Sequence, residues 1–557
     1  MAIWGPSAAR ATESCVRERH SMAPGQEMLR RRTSSDFKEL QQIPPKLGDY
    51  VSWAIEGRIR RGRFQVVYLI ALCSVYGLTT MQTFSNMFAS SRVTTWHLAC
   101  GDGACPPLEE SSNCSVPLSE WRADSPGTST ISEFKLLCEN HEEAPAMDSM
   151  FFVGWAFGIV LVGTVSDSYG RRSAYLLAYS ILGAGGLLGP LAHDVSVYAA
   201  ARLLLGAGVA GTCIVAYVWA TEFLDASSRN VMAWLPNVLF SAGQILDSPL
   251  AYYIPQWRTF LWAVQGVVLV GVLNLFFLRE SPQWLAANGY SDEVHVVLSA
   301  MATTNGCKPP PPPLKQGVAQ VEGEEPVPVA NAAQVGFFRQ ICDRRLRFRI
   351  GVMCINWFAI SSAFYGLSMR SQALPLSIYW ANVVTALVAV PFYMVSAPLI
   401  GMTWCGRRGA VSGSFFVGGL CLILSTFVEE ATLALLVYYL GFGALSLGFG
   451  VLYVWAAELF PTTIRVRCMS VQSLAARFGA IASPFINDLG TTHPALSLMI
   501  FAAPCVIAGV LDLWLPETRD VVLPNTLDDI ADDATPNGRG KNGATLTEPL
   551  VGKLEGA

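Results

Sequence analysis

Three ionisable side chains inside long apolar stretches are the first candidates for chemistry: Arg202, which is followed by Gly206, Gly208 and Gly211 and is predicted to serve packing and gating, and then Arg477 and Asp247. A charged group within a membrane costs free energy, so by default it marks a functional site. The planar guanidinium of Arg477 can bind a carboxylate through two parallel hydrogen bonds, which favours an anionic or zwitterionic headgroup. Asp247 has three roles open to it: binding a substrate ammonium, taking up a proton, or pairing with Arg477. For both residues, a purely structural contact between helices is the alternative.

The composition is that of a membrane protein. The 557 residues are 52% apolar and only 14% charged, whereas an ordinary soluble domain is about 25% charged. The mean hydropathy is +0.38. The net charge of −4 contains no basic excess that would favour a nucleic-acid partner. No cysteine group has metal-ligand spacing and no glycine-rich nucleotide motif is present, so we expect no metal, no cofactor and no ATP-driven pumping.

Twelve stretches are long and apolar enough to cross a membrane, because a hydrocarbon core of about 30 Å needs about 20 helical residues. Lys and Arg near the span ends lie almost entirely on one side, which predicts cytoplasmic termini. The first 63 residues hold no apolar core of a cleaved signal peptide, so the first span is predicted to be an uncleaved signal anchor. The spans are approximately Phe64 to Met87, Met147 to Val165, Ser173 to Leu191, Val195 to Ala220, Val231 to Ile254, Thr259 to Leu278, Ile350 to Met369, Ile378 to Ile400, Ala410 to Val428, Thr432 to Ala456, Met469 to Phe485 and Pro494 to Leu515.

The long outer segment between the first two spans, residues 89–146, holds Cys100, Cys105, Cys114 and Cys138. Four cysteines in an oxidising compartment predict two disulfides, and their three pairings stay open. Asn113 begins an Asn-Cys-Ser glycosylation sequon. A bridged Cys114 at its centre would make Asn113 a poor acceptor.

An internal repeat divides the chain. Gly170-Arg171-Arg172 follows the second span and Gly406-Arg407-Arg408 follows the eighth, an offset of 406 − 170 = 236. The same offset relates Tyr217-Val218-Trp219-Ala220 to Tyr453-Val454-Trp455-Ala456. Two separate motifs with one offset indicate two parallel six-helix halves, which is the major facilitator architecture with its substrate path between the halves.

Charged residues recur at the cytoplasmic ends of both halves, where arginines can cap helix carbonyls and pair with acids. Such pairs would lock the cytoplasmic face while the outer face is open. The alternative is that these charges only fix the topology through the positive-inside effect. The predicted network consists of Asp167, Gly170, Arg171, Arg172, Glu222, Arg229, Glu280, Arg407, Arg408, Glu458 and Arg465.

The predicted fold class is an all-α polytopic membrane protein. Its parts are a cytoplasmic tail at 1–63, a six-helix bundle at 64–285, a cytoplasmic linker at 286–349, a second six-helix bundle at 350–515 and a cytoplasmic tail at 516–557. The linker contains the run Pro309 to Pro313, which favours an extended chain over a packed core. We expect the protein to be a monomer in the lipid bilayer.

Motifs along most of the chain carry a family resemblance: Thr130-Ile131-Ser132-Glu133-Phe134, Asp167-Ser168-Tyr169-Gly170-Arg171-Arg172, Ala251-Tyr252-Tyr253-Ile254-Pro255-Gln256-Trp257-Arg258, Glu280-Ser281-Pro282-Gln283-Trp284-Leu285, Trp357-Phe358, Phe364-Tyr365-Gly366-Leu367-Ser368, Glu458-Leu459-Phe460-Pro461-Thr462 and Leu515-Pro516-Glu517-Thr518-Arg519. They resemble solute carrier family 22, the organic cation, zwitterion and anion transporters, over about Asp124 to Ile530. Some of these motifs are shared with sugar porters. The cysteine-bearing outer loop, the aromatics of span seven and the segment at 251–258 separate the two groups.

The sequence departs from the family pattern at three positions. Gln283 replaces the usual Arg, and Thr403 stands where the first half has Asp167. Ala389 stands about where relatives place an acid in span eight. This last change removes a favoured partner for a cationic substrate.

The resemblance implies a secondary transporter of the plasma membrane that moves a small organic ion by alternating access. Carnitine-like zwitterions, organic cations and organic anions are the expected substrates, and a coupling ion, proton or sodium, is left open. The position of Arg477 resembles an Arg of the anion and carnitine types and an Asp of the cation types. A sugar-porter-like transporter and a non-transporting receptor are the alternatives. Aromatic residues at substrate-lining positions are Trp357, Tyr365, Tyr453, Phe157 and Tyr217.

Overall fold

The described part of the chain is almost entirely helical. The computed structural model describes residues 44, 46–59, 62–91, 96–98, 121–123, 128–225, 228, 231–232, 234–313, 344–370, 376–461 and 464–519. The first half contains α1 Leu47–Trp53, α2 Arg63–Ala89, α3 Thr130–Phe134, α4 Glu143–Tyr169, α5 Arg171–Leu191, α6 Val195–Glu222, α7 Leu235–Tyr253, α8 Trp257–Leu269, α9 Asn274–Phe277, α10 Pro282–Ala287 and α11 Ser291–Thr304. The second half contains α12 Arg344–Met369, α13 Ile378–Gly401, α14 Gly406–Ser425, α15 Ala431–Glu458, α16 Arg465–Thr492 and α17 Pro494–Asp512.

The predicted all-α membrane fold is confirmed, with one small exception in the outer segment. There, strands β1 Trp96–Leu98 and β2 Trp121–Ala123 form an antiparallel pair. Among the described residues, ten helices are long and apolar enough to cross a membrane. The other two predicted spans, α7 and α16, are helical but more polar, so the total of twelve crossings stays a prediction, as does the orientation.

Each predicted span overlaps a helix, and α16 extends well beyond both of its predicted bounds. This helix runs to Thr492, whereas the apolar stretch was predicted to end at Phe485. Asn487 and Asp488 end the apolar pattern but not the helix, because their side chains find polar partners. Asn487 donates a hydrogen bond to the carbonyl of Gly366 (2.7 Å), and Asp488 lies 3.9 Å from His141.

Glycines let α4 and α6 pack backbone to backbone. A Cβ placed on Gly154 would overlap the carbonyl oxygen of Leu203, and one on Gly158 would overlap that of Ala207. In return, a Cβ on Gly206 would overlap the carbonyl of Phe151. Small residues permit this close approach in membrane helices.

We expect Gly154→Ala to destabilise the protein by about 1–3 kcal/mol, because the added methyl group forces the two helices apart. Gly163→Ala on the same helix is the matched control, since a Cβ there would meet nothing within 4 Å. Thermal unfolding of the two variants in detergent measures the difference. Equal melting temperatures would contradict tight packing at Gly154.

Two helices outside the predicted spans pack against the first bundle: α1 lies within the predicted tail at 1–63 and α11 within the predicted linker at 286–349. Helices α1 and α11 bury Tyr50, Val294, Leu298 and Met301 in a common apolar cluster. The spacing of the last three residues by three or four positions makes α11 amphipathic, which explains why it folds. Burial raises the pKa of Tyr50 to about 12. Its hydroxyl donates a hydrogen bond to the carbonyl of Pro311 in the proline run (2.7 Å).

The two halves contact each other toward the end at which α4 begins and α7 ends, the predicted outer side. Ser149 of α4 donates a hydrogen bond to the carbonyl of Ile481 (2.8 Å). Phe88 and Tyr379 stack across the halves with ring centroids 5.8 Å apart. These contacts close the predicted outer end of the path between the halves.

Candidate substrate site and charge network

Arg477 lies between the two halves. It is 5% exposed, and its guanidinium carbon lies 4.9 Å from the ring centroid of Trp155 on α4. Its Nε and Nη1 are buried and find no hydrogen-bond partner among the described residues. A buried guanidinium with free donors is a strong site for an anionic group, because unpaired buried donors are costly and a carboxylate would satisfy them.

Three of the predicted aromatic residues form a cluster near this position. The rings of Trp357 and Tyr453 meet edge to face with centroids 4.6 Å apart. Tyr365 lies 4.9 Å from Phe152 and 6.1 Å from Trp155 by the same measure, which joins α12 to α4. The cluster provides flat apolar faces between the halves, suited to the body of an organic ion.

Gln472 holds the ring of Trp357 in place. The indole Nε1 donates a hydrogen bond to Oε1 of Gln472 (3.1 Å), and Gln472 is fully buried on α16. Its Nε2 has no hydrogen-bond partner among the described residues. A second free donor therefore lies on the helix that carries Arg477.

Phe157 is placed differently from the other predicted aromatics. Phe157 is 64% exposed and lies about 200° around α4 from Trp155, on the opposite face. Tyr217 on α6 is partly exposed, as Tyr453 is, and it lies close enough to Tyr453 of the other half to interact with it electrostatically. Trp155 takes the position between the halves that we predicted for Phe157.

Asp247 is completely buried on α7. Both of its carboxylate oxygens are without a hydrogen-bond partner among the described residues, and it forms no ion pair with Arg477. Of the three roles that the sequence left open, pairing with Arg477 is therefore not seen in this conformation.

A polar cluster that we did not predict from the sequence surrounds Asp148 on α4. Asn86 donates a hydrogen bond to Oδ1 of Asp148 (2.5 Å) and accepts one from the hydroxyl of Tyr198 (2.5 Å). Nη2 of the buried Arg202 lies 3.9 Å from the same carboxylate oxygen. Asp148 is an ionisable residue inside a predicted span, so the criterion that selected Arg477 and Asp247 applies to it equally.

The predicted charge network of the first half centres on Arg171. Its guanidinium pairs with Glu222 (2.7 Å) and with Asp167 (2.8 Å). The carboxylate of Glu280 accepts hydrogen bonds from the backbone N–H groups of Arg171 (3.0 Å) and Arg172 (3.1 Å), so it caps the N-terminus of α5. These pairs lie within one half. Arg229 lies outside the described residues.

The second half repeats this arrangement. Arg407 pairs with Glu458 (3.1 Å), and Glu517 accepts hydrogen bonds from the backbone N–H groups of Arg407 (2.9 Å) and Arg408 (3.0 Å). Glu517 is thus the counterpart of Glu280, at an offset of 517 − 280 = 237, and we had not assigned it to the network. Thr403 occupies the position that Asp167 has in the first half. Arg407 therefore has no such carboxylate there and donates a hydrogen bond to the carbonyl of Ile400 instead (3.2 Å). Arg465 donates to the carbonyl of Phe460 (3.2 Å).

The predicted outer-loop sites are only partly described. Cys138 is disulfide-bonded. Cys100, Cys105, Cys114 and Asn113 lie outside the described residues, so their pairing and modification stay predictions. In the described part of the chain, no group of three or more His, Cys, Asp or Glu residues is arranged to hold a metal ion.

Known proteins match the chain over most of its length. The sequence profile of a family described as "Sugar (and other) transporter" matches residues 115–523. "Solute carrier family 22 member 15-like" of Xenopus laevis is 32% identical over 73% of this chain and 82% of its own length. "Organic cation transporter protein" of Drosophila melanogaster is 29% identical over 77% of this chain and 79% of its own length. Human "Organic anion transporter 3" is 27% identical over 74% of this chain and 76% of its own.

Solved structures share the fold. The proton:xylose symporter XylE superposes with a TM-score of 0.56 at 16% identity, covering 82% of this chain and 98% of that one. XylE from E. coli in an inward-open conformation gives 0.55 at 17% identity, covering 83% and 97% of the two chains. At this identity the likeness establishes the major facilitator fold alone.

Proposed function

Because the chain belongs to solute carrier family 22, within the sugar and other transporters, we propose that it moves a small organic anion or zwitterion through the path between its halves. The observation that carries this proposal is Arg477, a buried guanidinium with free donors between the two bundles. The protein is a multi-pass membrane transporter and not an enzyme. In this proposal the substrate carboxylate binds Arg477 and its apolar body packs on Tyr365, Trp357 and Tyr453.

The charge of the site favours an anionic group over a cation. Arg477 forms no ion pair with an acid in the described part of the chain, so its positive charge acts on whatever enters. A substrate carboxylate would supply the missing partner and would satisfy Nε and Nη1. The aromatic faces can pack on a quaternary ammonium at the other end of the molecule, which leaves carnitine-like zwitterions within the proposal.

In alternating access, the two halves move relative to each other and expose the site to one side of the membrane at a time. Arg171 with Glu222, and Arg407 with Glu458, hold the ends of neighbouring helices together inside each half. Each half can then rock as a unit around the site at Arg477, in the manner of transporters built from repeats. The predicted outer end is closed here, so substrate would exchange with the cytoplasmic side. We take the monomer as the unit of transport, because one chain forms the whole site.

Uptake by cells that express the protein tests the proposal. We would offer labelled carnitine, an aromatic carboxylate, tetraethylammonium and glucose to the wild type, Arg477→Asp and Arg477→Lys. We expect carnitine or the carboxylate to enter with the wild type and to fall about a hundredfold with Arg477→Asp, because removing a buried charged partner costs about 2–5 kcal/mol. Arg477→Lys keeps the charge but loses the planar fork, so we expect intermediate uptake.

Arg370→Gln is the matched control for loss of a buried arginine. Arg370 lies in the same half, and its donors already bond Ser497 (2.5 Å) and the carbonyl of Pro494 (3.2 Å). We expect it to keep the substrate preference of the wild type. Entry of glucose alone would favour the sugar-porter alternative, and no entry despite surface expression would favour the receptor.

A further inference from the structure

A polar patch joins the two halves between α7 and α13, and we call it the outer seam: Gln244, Asp247, Ser248 and Asn382. Gln244 donates from Nε2 to Oδ1 of Asn382 (2.9 Å). Asn382 donates from Nδ2 to the carbonyl of Gln244 (2.8 Å) and to the hydroxyl of Ser248 (2.9 Å). These bonds cross from one half to the other, so they must break when the outer end opens.

Asp247 points into the interior on the same side of α7. At about 100° per residue it lies about 60° from Gln244, between the face that meets α13 and the face of Gly243 that meets Gly77 on α2. Phe240, two turns below, contacts Phe84 of α2 and Phe364 of α12, which fixes this direction. The carboxyl group is therefore enclosed where the two halves meet.

No described charge compensates Asp247. It forms no ion pair within 4 Å in the described part of the chain, and both oxygens lack a hydrogen-bond donor. Arg258 on α8 is already paired with Glu133. The titratable residues on the elements that contact α7 are Arg63, Tyr68, Cys73 and Tyr76 on α2, Arg344, Arg345, Arg347, Arg349, Cys354 and Tyr365 on α12, Tyr379 and Tyr393 on α13, and Arg258 on α8.

We propose that Asp247 is a proton-binding site whose occupation stabilises the closed outer seam. A buried carboxylate without an ion pair or hydrogen-bond donors among the described residues is strongly disfavoured, whereas the neutral acid fits the same space. When the halves part at the outer side, the external solution reaches the carboxylate, and a hydronium ion transfers its proton to one carboxylate oxygen, which cancels the charge, and leaves as water. The seam then closes over the neutral group. The coupling of this step to transport rests on the function proposed above.

A proton fits the outer seam better than a larger cation. Hard metal cations need a shell of several oxygen ligands. Oδ1 of Asn382 already accepts from Gln244, and the hydroxyl of Ser248 and the carbonyl of Gln244 already accept from Asn382. A substrate ammonium would also have to separate these pairs to reach Asp247. A proton needs neither ligands nor space.

The test measures uptake against external pH and carboxyl protonation in the purified full-length protein. As external pH falls from about 8 to about 6, we expect wild-type uptake to rise about threefold or more. Asp247→Asn mimics the neutral acid, so its uptake should persist and vary with pH by less than about 1.5-fold. Infrared spectra at neutral pH should show a protonated carboxyl band that Asp247→Asn removes.

Two control variants separate this site from others. Asp512→Asn removes another fully buried carboxyl group, which accepts a hydrogen bond from Asn356 (2.6 Å), and it should leave the pH dependence of uptake intact. His141→Gln removes a titratable group that also faces the other half, at Asp488, and it should leave that dependence intact as well.

Three results would overturn the proposal. They are an infrared band unchanged by Asp247→Asn, a pH dependence that disappears in His141→Gln but persists in Asp247→Asn, and uptake that follows external sodium at constant pH. The infrared measurement needs no substrate. If no compound is transported, the proposed function fails while the infrared difference still decides whether Asp247 holds a proton.

Discussion

Arg171→Met should destabilise the protein by about 3–5 kcal/mol and abolish transport, because it leaves Glu222 buried without its partner. The side chains of Arg171 and Glu222 are each 10% exposed, so water cannot replace the lost ion pair. The same change removes the hydrogen bond to the carbonyl of Ser166 (2.8 Å), where α4 ends. The ends of α4, α5 and α6 would lose their common anchor.

Thermal unfolding in detergent and uptake per molecule at the cell surface measure this effect. Arg172→Met is the matched control, because the neighbouring side chain only donates to the carbonyl of Leu275 (2.9 Å) near the surface. The double variant Arg171→Met with Glu222→Met should regain most of the stability, since no buried charge is left over. If Arg171→Met unfolds at the wild-type temperature, Arg171 serves only to orient the chain in the membrane.

The repeat explains why much of the charge network could be predicted. One offset of 236 residues placed Arg171 and Arg407 at equivalent points, and each pairs with the glutamate that ends the fourth predicted span of its own half, Glu222 on α6 and Glu458 on α15. We did not assign Glu517 to the network because its offset from Glu280 is 237 residues, one more than the offset of the repeat. Its short Pro-Glu-Thr motif shows a resemblance but does not show that the carboxylate caps a helix.

The fold was predictable because apolar stretches of spanning length follow from the thickness of a bilayer. The helices outside the predicted spans were not, since α11 is short and its apolar face is filled only by packing against α10, α2 and α1. A proline run nearby suggested a linker for the whole segment. Hydropathy likewise reports that a residue is inside a span, but not which side of the helix it occupies.

The aromatic residues of α4 show this limit. Phe157 and Trp155 lie in the same predicted span, and the order of residues does not reveal which of them faces the other half. The contact between Trp155 and Arg477 settles the question for α4, because residues two positions apart point in nearly opposite directions on a helix.

Trp155→Leu is therefore expected to raise the KM for a carboxylate substrate about tenfold or more. A cation over an aromatic face away from water is stabilised by about 2 kcal/mol, and the indole ring holds the guanidinium of Arg477 in one orientation before substrate arrives. Without the ring, the guanidinium of Arg477 must be ordered when the substrate binds, and this cost weakens binding. Trp155→Phe keeps an aromatic face, so its KM should rise much less, by about threefold.

Phe157→Leu is the matched control on the same helix, since its side chain is 64% exposed on the opposite face. We expect its KM to stay within about twofold of the wild type, as for most exposed substitutions. Initial uptake rates over a range of substrate concentrations, divided by surface expression, give KM and Vmax for each variant. A larger KM in Phe157→Leu than in Trp155→Leu would place the substrate on the other face of α4, away from Arg477.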